Sequence, residues 1–322
     1  MDISLELRNN LGEKLLVNEP LKDHTNFKIG GPAKYFFTAA TADELVKAYQ
    51  VARELKIPVI ILGGGTNVLV SDQGFAGLVI KVKNQDYKID GLKVVSDAGV
   101  NLGFLVQKTV AVGLSGFEPL VGVPGSVGGA VYGNAGLPGA VQGFIGDWVK
   151  AVTVFRENKV VRVPAAECQF AYRDSLFKYN SDIILSAEFE LMAGDKAASQ
   201  ELVKKYISAR QNQPYHLPSS GCVFTNVPIV DASEIKQKFP QEEKLEQFIA
   251  RGQLPASWLI DQAGLKGKTM GGIQISGQHA NYLVNVGGAR AEDVVMMISY
   301  IKQQVRDKFG IQLQEEVRYL GF

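Results

Sequence analysis

The stretch Val121–Gly136, VGVPGSVGGAVYGNAG, has glycine at six of its sixteen positions and no charged residue. Glycine lets the backbone take positive φ and approach a neighbour or a ligand closely. A second run, Gly63–Asn67 (GGGTN), follows directly on PVIIL, which reads as a short buried strand. Consecutive N–H groups in such a run form a concave anion-binding nest. Either loop alone is accounted for by tight turns and close helix packing. Together, and with no charge in the second, they point to a neutral-backbone cradle for the diphosphate of a dinucleotide-like cofactor.

Two common glycine-loop motifs do not fit. A dinucleotide fingerprint needs GxGxxG between a strand and a helix, and GGGTNVLV has no third glycine at that spacing, so a Rossmann domain is not supported. Gly267-Lys268-Thr269 resembles the end of a Walker A loop, but Gln262 stands where its first glycine belongs.

Composition narrows the classes further. The chain of 322 residues is 46% hydrophobic and 21% charged, as in ordinary globular proteins, and is long enough for two or three compact units. Its 34 glycines exceed the usual frequency of about 7%. With 34 basic and 33 acidic residues the net charge is +1, so no general field holds nucleic acid or an anionic membrane surface, and no obligate protein partner is evident. The start, MDISLELRNNLGEK, lacks the apolar core of a secretory signal, and no window reaches the roughly 18 apolar residues of a membrane span. Cys168 and Cys222 match neither CxxC nor zinc spacing, which implies a reducing compartment, no disulfide framework and no metal centre. A cytoplasmic protein is expected.

Mixed helix and strand signals run throughout. TADELVKAYQVARELK opens with Thr41 and Glu44 at capping-box spacing and repeats apolar residues at helical period. Further helices are expected over Asn101–Val112, Asp195–Arg210, Pro255–Ala263 and Ala291–Phe309, the last closed by Gly310. LVIKV, KVVSDAGV, AVTVFRENKVVRV, SDIILSAEFEL and NYLVNVG read as strands. The proline-bearing QNQPYHLPSSG, from Gln211, is the best domain boundary.

Eight motifs occur in an order that resembles the bacterial UDP-N-acetylenolpyruvoylglucosamine reductases. They are NFKIGGPA at Asn26, LGGGTNVLVSD at Leu62, GFEPLVGVPGSVGGAVYGNAG at Gly116, FAYRDSLF at Phe170, SSGCVF at Ser219, WLIDQAGLKG at Trp258, HANYLVN at His279 and EEVRYLG at Glu315. The resemblance covers roughly residues 21–321. It implies an α+β fold: a two-subdomain flavin module of the vanillyl-alcohol-oxidase-like (PCMH/VAO) type plus a C-terminal α+β substrate-binding domain. The corresponding boundaries are 1–83 and 84–210 for the flavin subdomains, 211–308 for the substrate domain and 309–322 for a strand returning to the site. The implied reaction uses NADPH and non-covalent FAD to reduce the enolpyruvyl group of a UDP-sugar, in peptidoglycan precursor synthesis. Gly63, Gly64, Gly65, Thr66, Asn67, Gly125, Ser126, Gly128, Gly129 and Gly133 are then the cofactor-binding set.

An enolpyruvyl group that receives a hydride at its terminal carbon gathers charge on the carboxylate side, so the site must stabilise an enolate-like species and protonate its α-carbon. By resemblance, Arg173 faces the carboxylate with a fixed guanidinium charge, and Glu316 polarises the intermediate or helps deliver the proton. Arg318 shares its face if the segment is a strand. Cys222 stands where the family often has a proton-donating serine. A thiol of ordinary pKa, about 8.5, is mostly protonated at neutral pH and is a more acidic donor than a hydroxyl; the alternative is a buried structural cysteine. Asn226 and Lys266 are further substrate-binding candidates, Lys266 as a point charge for the diphosphate or simply an exposed helix-end lysine.

Thr225 and Val227 depart from the family pattern of a basic residue and a proline. The short span from Arg173 to Cys222 has no room for the tyrosine-bearing loop of one subclass, so an open substrate site is expected. The rival readings are an FAD-dependent oxidase of a hydroxy acid or sugar and a non-catalytic nucleotide-binding module. Against the oxidase, His24, His216 and His279 lie in none of the loops expected for covalent flavin attachment.

Overall fold

The computed structural model describes residues 2–137, 143–211, 213–214 and 216–322. The chain divides into two compact units. One comprises Met1–Glu19, Pro32–Gly65 and Phe75–Gln211, and the other Pro20–Gly31, Thr66–Gly74 and Asn212–Phe322. Residues 20–31 and 66–74, placed in the first flavin subdomain on sequence grounds, group with the second unit. The boundary stretch from Gln211 coincides with the division, although its Asn212 and Tyr215 lie outside the described residues.

The first unit is α+β. One sheet runs in the order Leu16–Pro20, Pro32–Ala39, Phe75–Val82, Val59–Leu62, with its last three strands mutually parallel. Phe75–Val82 is apolar except for Lys81 because it lies in the middle of that sheet, buried from Gly77 onward. The helix Ala42–Glu54 starts at Thr41, whose side chain accepts from the Glu44 amide at 3.1 Å, while the Glu44 carboxylate accepts from the Ala40 amide at 2.8 Å. The second sheet is antiparallel, in the order Lys159–Pro164, Val149–Arg156, Ile183–Glu190, Lys93–Asp97, Tyr87–Asp90. AVTVFRENKVVRV folds as a hairpin whose two turn residues, Glu157 and Asn158, both have positive φ (48° and 61°). That conformation matches the twist of the flanking strands.

Helices Leu102–Ala111 and Lys196–Ser208 begin at the side-chain caps Asn101 and Asp195. Between Arg173 and Ser219 the chain forms a 3-10 turn, the strand Ile183–Glu190, the short strand Met192–Ala193 and the helix Lys196–Ser208. Glu118 is buried and accepts from the Gly116 amide (2.6 Å) and from Ser199 of that last helix (2.5 Å). Burial works against its charge, but these bonds hold its carboxyl below the ordinary value.

The second unit has its own core, including Phe27, Leu69, Val223, Phe224, Ile260, Leu283, Met297 and Ile301. Its sheet runs Ser219–Cys222, Tyr282–Asn285, Ile273–Ile275, Thr269–Met270, all antiparallel. The helix Ala291–Phe309 lies in this unit and ends at Gly310 with φ 67°. Its first amides, Ala291 and Glu292, donate to the Asp72 carboxylate at 2.9 and 3.2 Å, so a residue distant in sequence caps it. Arg318–Leu320 pairs in parallel with Val68–Val70. Glu316 precedes that strand and Val317 is a bend, so period-two alternation does not place Glu316 and Arg318 on one strand face.

Among the described residues no helix is long and apolar enough to cross a membrane.

Candidate active site

The two glycine loops meet within the first unit. A Cβ on Gly64 would lie 2.7 Å from Gly125 Cα, and one on Gly63 would lie 2.7 Å from Ser126 Oγ. At Gly64 the clash is with backbone and excludes any side chain, whereas at Gly63 it is with the Ser126 hydroxyl. Gly65 and Gly125 add positive φ, 73° and 116°.

The stretch read as one long loop is half helix. Ser126 caps the helix Val127–Gly133, its Oγ accepting from the Gly129 amide at 3.3 Å. The Val127 amide donates to Val100 O (2.9 Å) and the Gly128 amide to Ala98 O (2.8 Å). A Cβ on Gly128 would meet Ala98 Cβ at 2.7 Å. Gly128 is thus a packing glycine whose amide is engaged inside the protein, as is that of Gly129, while a Cβ on Gly133 would meet nothing within 4 Å.

The C-terminal end of the glycine helix is tied to the turn that carries Arg173. Asn134, left-handed at φ 42°, donates from Nδ2 to Ala171 O at 2.7 Å and accepts from the Gly146 amide at 3.0 Å. Ser175 Oγ donates to Tyr132 O at 2.7 Å. Arg173 itself has φ 55°, a conformation non-glycine residues adopt only where surroundings impose it. Its Nη1 donates to Gly136 O at 3.1 Å, its guanidinium lies 6.0 Å from the Phe144 ring centroid and 5.8 Å from that of Tyr172, and its carbonyl accepts from Lys178 Nζ at 2.5 Å. The sequence contains Asn134 but gave it no role; an asparagine directly after the glycines is the cap signal that could have found it.

In the second unit Cys222 ends the strand Ser219–Cys222, where three steps along one strand oppose two on the other, Ser219 facing Val284 and Cys222 facing Tyr282. Gly221 takes φ 80° in this bulge, which re-aims the following side chain. Asn281 is buried and clamps the next turn of chain: its Oδ1 accepts from the Phe224 amide (2.9 Å) and its Nδ2 donates to Phe224 O (2.7 Å). The Glu316 amide donates to Val223 O at 2.7 Å, so the backbone of Glu316 is held against the residue that follows Cys222. The neighbouring Glu315 is taken up by Lys302 (2.6 Å) and by the Tyr319 hydroxyl (2.5 Å), whose pKa is pushed well above its ordinary value by burial and by that carboxylate. Glu315 is thereby engaged within the protein.

Asn67, expected to bind cofactor, donates from Nδ2 to Glu316 O at 3.1 Å and accepts the Arg318 amide at its own carbonyl, also at 3.1 Å. Its Oδ1 is buried with no hydrogen-bond partner.

Asn226 and Lys266 also belong to this unit. Asn226 accepts from the Ala256 amide at 3.3 Å, at the start of the helix Ala256–Gln262, and Lys266 is exposed and pairs with Asp261 at 2.6 Å. Thr225, where the family pattern breaks, donates its amide to Gln314 O at 2.9 Å. His279 is packed edge-on to Tyr282, burial pushes its pKa below the ordinary value, and its Nδ1 is buried with no hydrogen-bond partner. Cys168 is buried, its thiol raised to about 11 by desolvation, which leaves Cys222 as the accessible thiol.

A family model described as an FAD binding domain matches residues 33–162, which span both glycine loops, and places the chain among FAD-binding proteins. A second model, the UDP-N-acetylenolpyruvoylglucosamine reductase C-terminal domain, matches residues 213–320. The UDP-N-acetylenolpyruvoylglucosamine reductase of Solibacter usitatus is 38% identical over 94% of this chain and 95% of its own. That of Carboxydothermus hydrogenoformans is 37% identical over 98% and 97%. The crystal structure of the Thermus caldophilus enzyme is 32% identical, covers 95% of this chain and 98% of its own, and superposes with a TM-score of 0.73. The chain belongs to the UDP-N-acetylenolpyruvoylglucosamine reductase family.

Proposed function

We propose that this chain reduces the enolpyruvyl group of UDP-N-acetylenolpyruvoylglucosamine to the lactyl ether of UDP-N-acetylmuramate, with NADPH as reductant and FAD bound non-covalently. The observation that carries the reading is family membership over 94% of the chain together with an arginine, a proton-bearing side chain and a glutamate at Arg173, Cys222 and Glu316. The residues present fit the cofactor. The Gly64 backbone lies against Gly125–Ser126 with no space for a side chain, and Asn67 Oδ1 is a buried acceptor with no partner in the chain. The main chain of 63–65 and 125–126 holds the diphosphate, since the amides of Gly128 and Gly129 are engaged within the protein.

FAD supplies the two-electron carrier between NADPH and the olefin. The residues supply the rest. Arg173, fixed by Gly136 and the Phe144 and Tyr172 rings, pairs with the substrate carboxylate as charge develops on it. Hydride arrives at the terminal carbon, and the Cys222 thiol gives its proton to the α-carbon, so one hydride and one proton saturate the bond. Solvent then restores the thiol proton. Glu316 polarises the same centre, and Asn226, Lys266 and Arg318 contact the sugar nucleotide. The product serves peptidoglycan precursor synthesis in the cytoplasm, where NADPH is available.

The test is consumption of NADPH by the purified protein with and without the enolpyruvyl sugar. The expected result is sugar-dependent oxidation and a product two hydrogens heavier. Oxidation that proceeds at the same rate without the sugar contradicts the reading.

A further inference from the structure

Asn67 makes contacts that a cofactor ligand does not need. Its side-chain nitrogen holds the carbonyl of Glu316 and its main-chain oxygen holds the amide of Arg318, so one residue grips both sides of Val317. The next residue, Val68, opens the parallel ladder with Arg318–Leu320. The other face of Glu316 is fixed by its amide on Val223. Glu316 itself lies outside any regular strand, so these two bonds set where its Cα sits.

The carboxamide oxygen of Asn67 is buried and unpartnered although the nitrogen of the same group is bonded. A buried acceptor in that state signals a donor supplied from outside the chain. It sits at the end of the GGGTN run.

We infer that Asn67 is a positioning residue: its Nδ2 places the backbone of Glu316, its Oδ1 accepts a hydrogen bond from bound FAD, and cofactor occupancy thereby stiffens the Glu316–Arg318 segment. The inference rests on the flavin reading above. It goes beyond that reading in making Asn67 a link between cofactor and acid rather than a cofactor ligand alone.

The experiment compares the parent with Asn67→Asp and Asn67→Ala. Asn67→Asp keeps an acceptor but replaces the donor that Glu316 O requires with a second acceptor. Asn67→Ala removes both. The first readout is hydrogen–deuterium exchange of the peptide spanning 314–320, without and with added FAD. In the parent, FAD slows exchange there. In Asn67→Asp and Asn67→Ala exchange is faster by about tenfold, the effect of losing one neutral hydrogen bond, and in Asn67→Ala added FAD changes it little. The second readout separates the half-reactions. With FAD added to saturation, reoxidation of Asn67→Asp by the enolpyruvyl sugar slows by about tenfold or more relative to its reduction by NADPH. A purely structural role depresses both halves together.

Parent-like exchange in both variants, or equal slowing of both half-reactions in Asn67→Asp, overturns the inference. A parent that takes up no FAD refutes the flavin reading instead; exchange in the cofactor-free proteins then decides whether Asn67 holds Glu316. A parent that binds FAD but is not reoxidised by the sugar refutes the assigned substrate, and the exchange data still decide the link.

Discussion

The backbone amide of Glu316 donates to the carbonyl of Val223 at 2.7 Å. Val223 follows Cys222, so the backbones of the two residues assigned to the protonation step are joined through one hydrogen bond at a neighbouring residue. Buried Asn281 clamps Phe224 on the far side, which makes the Cys222–Phe224 backbone a fixed platform. An acid and its helper that share a rigid backbone keep their spacing through turnover.

The thiol is therefore expected to matter in only one half of the cycle. Cys222→Ala retains flavin reduction by NADPH, while sugar-dependent reoxidation falls by about 10²–10⁴-fold, the usual worth of a general acid. Cys222→Ser keeps much of its turnover. Single-turnover absorbance measurements separate the two steps, and reoxidation in Cys222→Ala at the parental rate removes the cysteine from the mechanism.

The Arg173 turn is braced by Asn134. Asn134→Gly preserves the left-handed backbone but removes both side-chain bonds, to Ala171 and Gly146. Flavin binding should hold and kcat for the sugar should fall by about tenfold, the worth of roughly one hydrogen bond transmitted to the arginine. Steady-state kinetics with both substrates read this out. An unchanged kcat denies the brace any role.

Gly64 and Gly133 should respond oppositely to alanine. At Gly64 the new methyl would lie 2.7 Å from Gly125 Cα, so Gly64→Ala should cost about 1–3 kcal/mol and most of the flavin affinity. At Gly133, inside a helix with open space around it, alanine should add about 0.5–1 kcal/mol. Thermal unfolding and flavin titration of the two variants check both signs.

Glu118 gives the first unit a pH dependence. Its carboxyl is held below the ordinary value in the folded protein, so its contribution is complete above the unfolded pKa and is lost as pH falls through the folded one. Glu118→Gln should be less stable than the parent near neutrality, and the gap should narrow as pH drops from about 6 to about 3. Urea unfolding at several pH values measures the gap; one that stays constant shows that the carboxylate charge is not what links Gly116 to Ser199.

Regular elements were legible where local signals agreed. The helix Ala291–Phe309 lies where apolar spacing and Gly310 put it, and Thr41 and Asn101 cap as their positions imply. The glycine helix Val127–Gly133 was not legible, because glycine argues against helix and the carbonyls of Ala98 and Val100 that hold its first turn are contributed by another part of the chain. Asp72 and Asn67 were equally hidden in their roles. Asn67 ends a motif assigned to the cofactor and Asp72 lies just beyond it, yet each bonds to groups more than two hundred residues away. The resemblance picked out Glu316, and the contacts of Glu315 with Lys302 and Tyr319 give the physical reason why its neighbour does other work.

The most direct test is anaerobic. The FAD-loaded protein is reduced with one equivalent of NADPH, and the enolpyruvyl sugar nucleotide is then added while the flavin absorbance is followed. The account predicts bleaching by NADPH and full recovery of the oxidised spectrum on adding the sugar, with UDP-N-acetylmuramate formed in equal amount. A flavin that stays bleached after the sugar is added, or a protein that takes up no FAD at all, contradicts it.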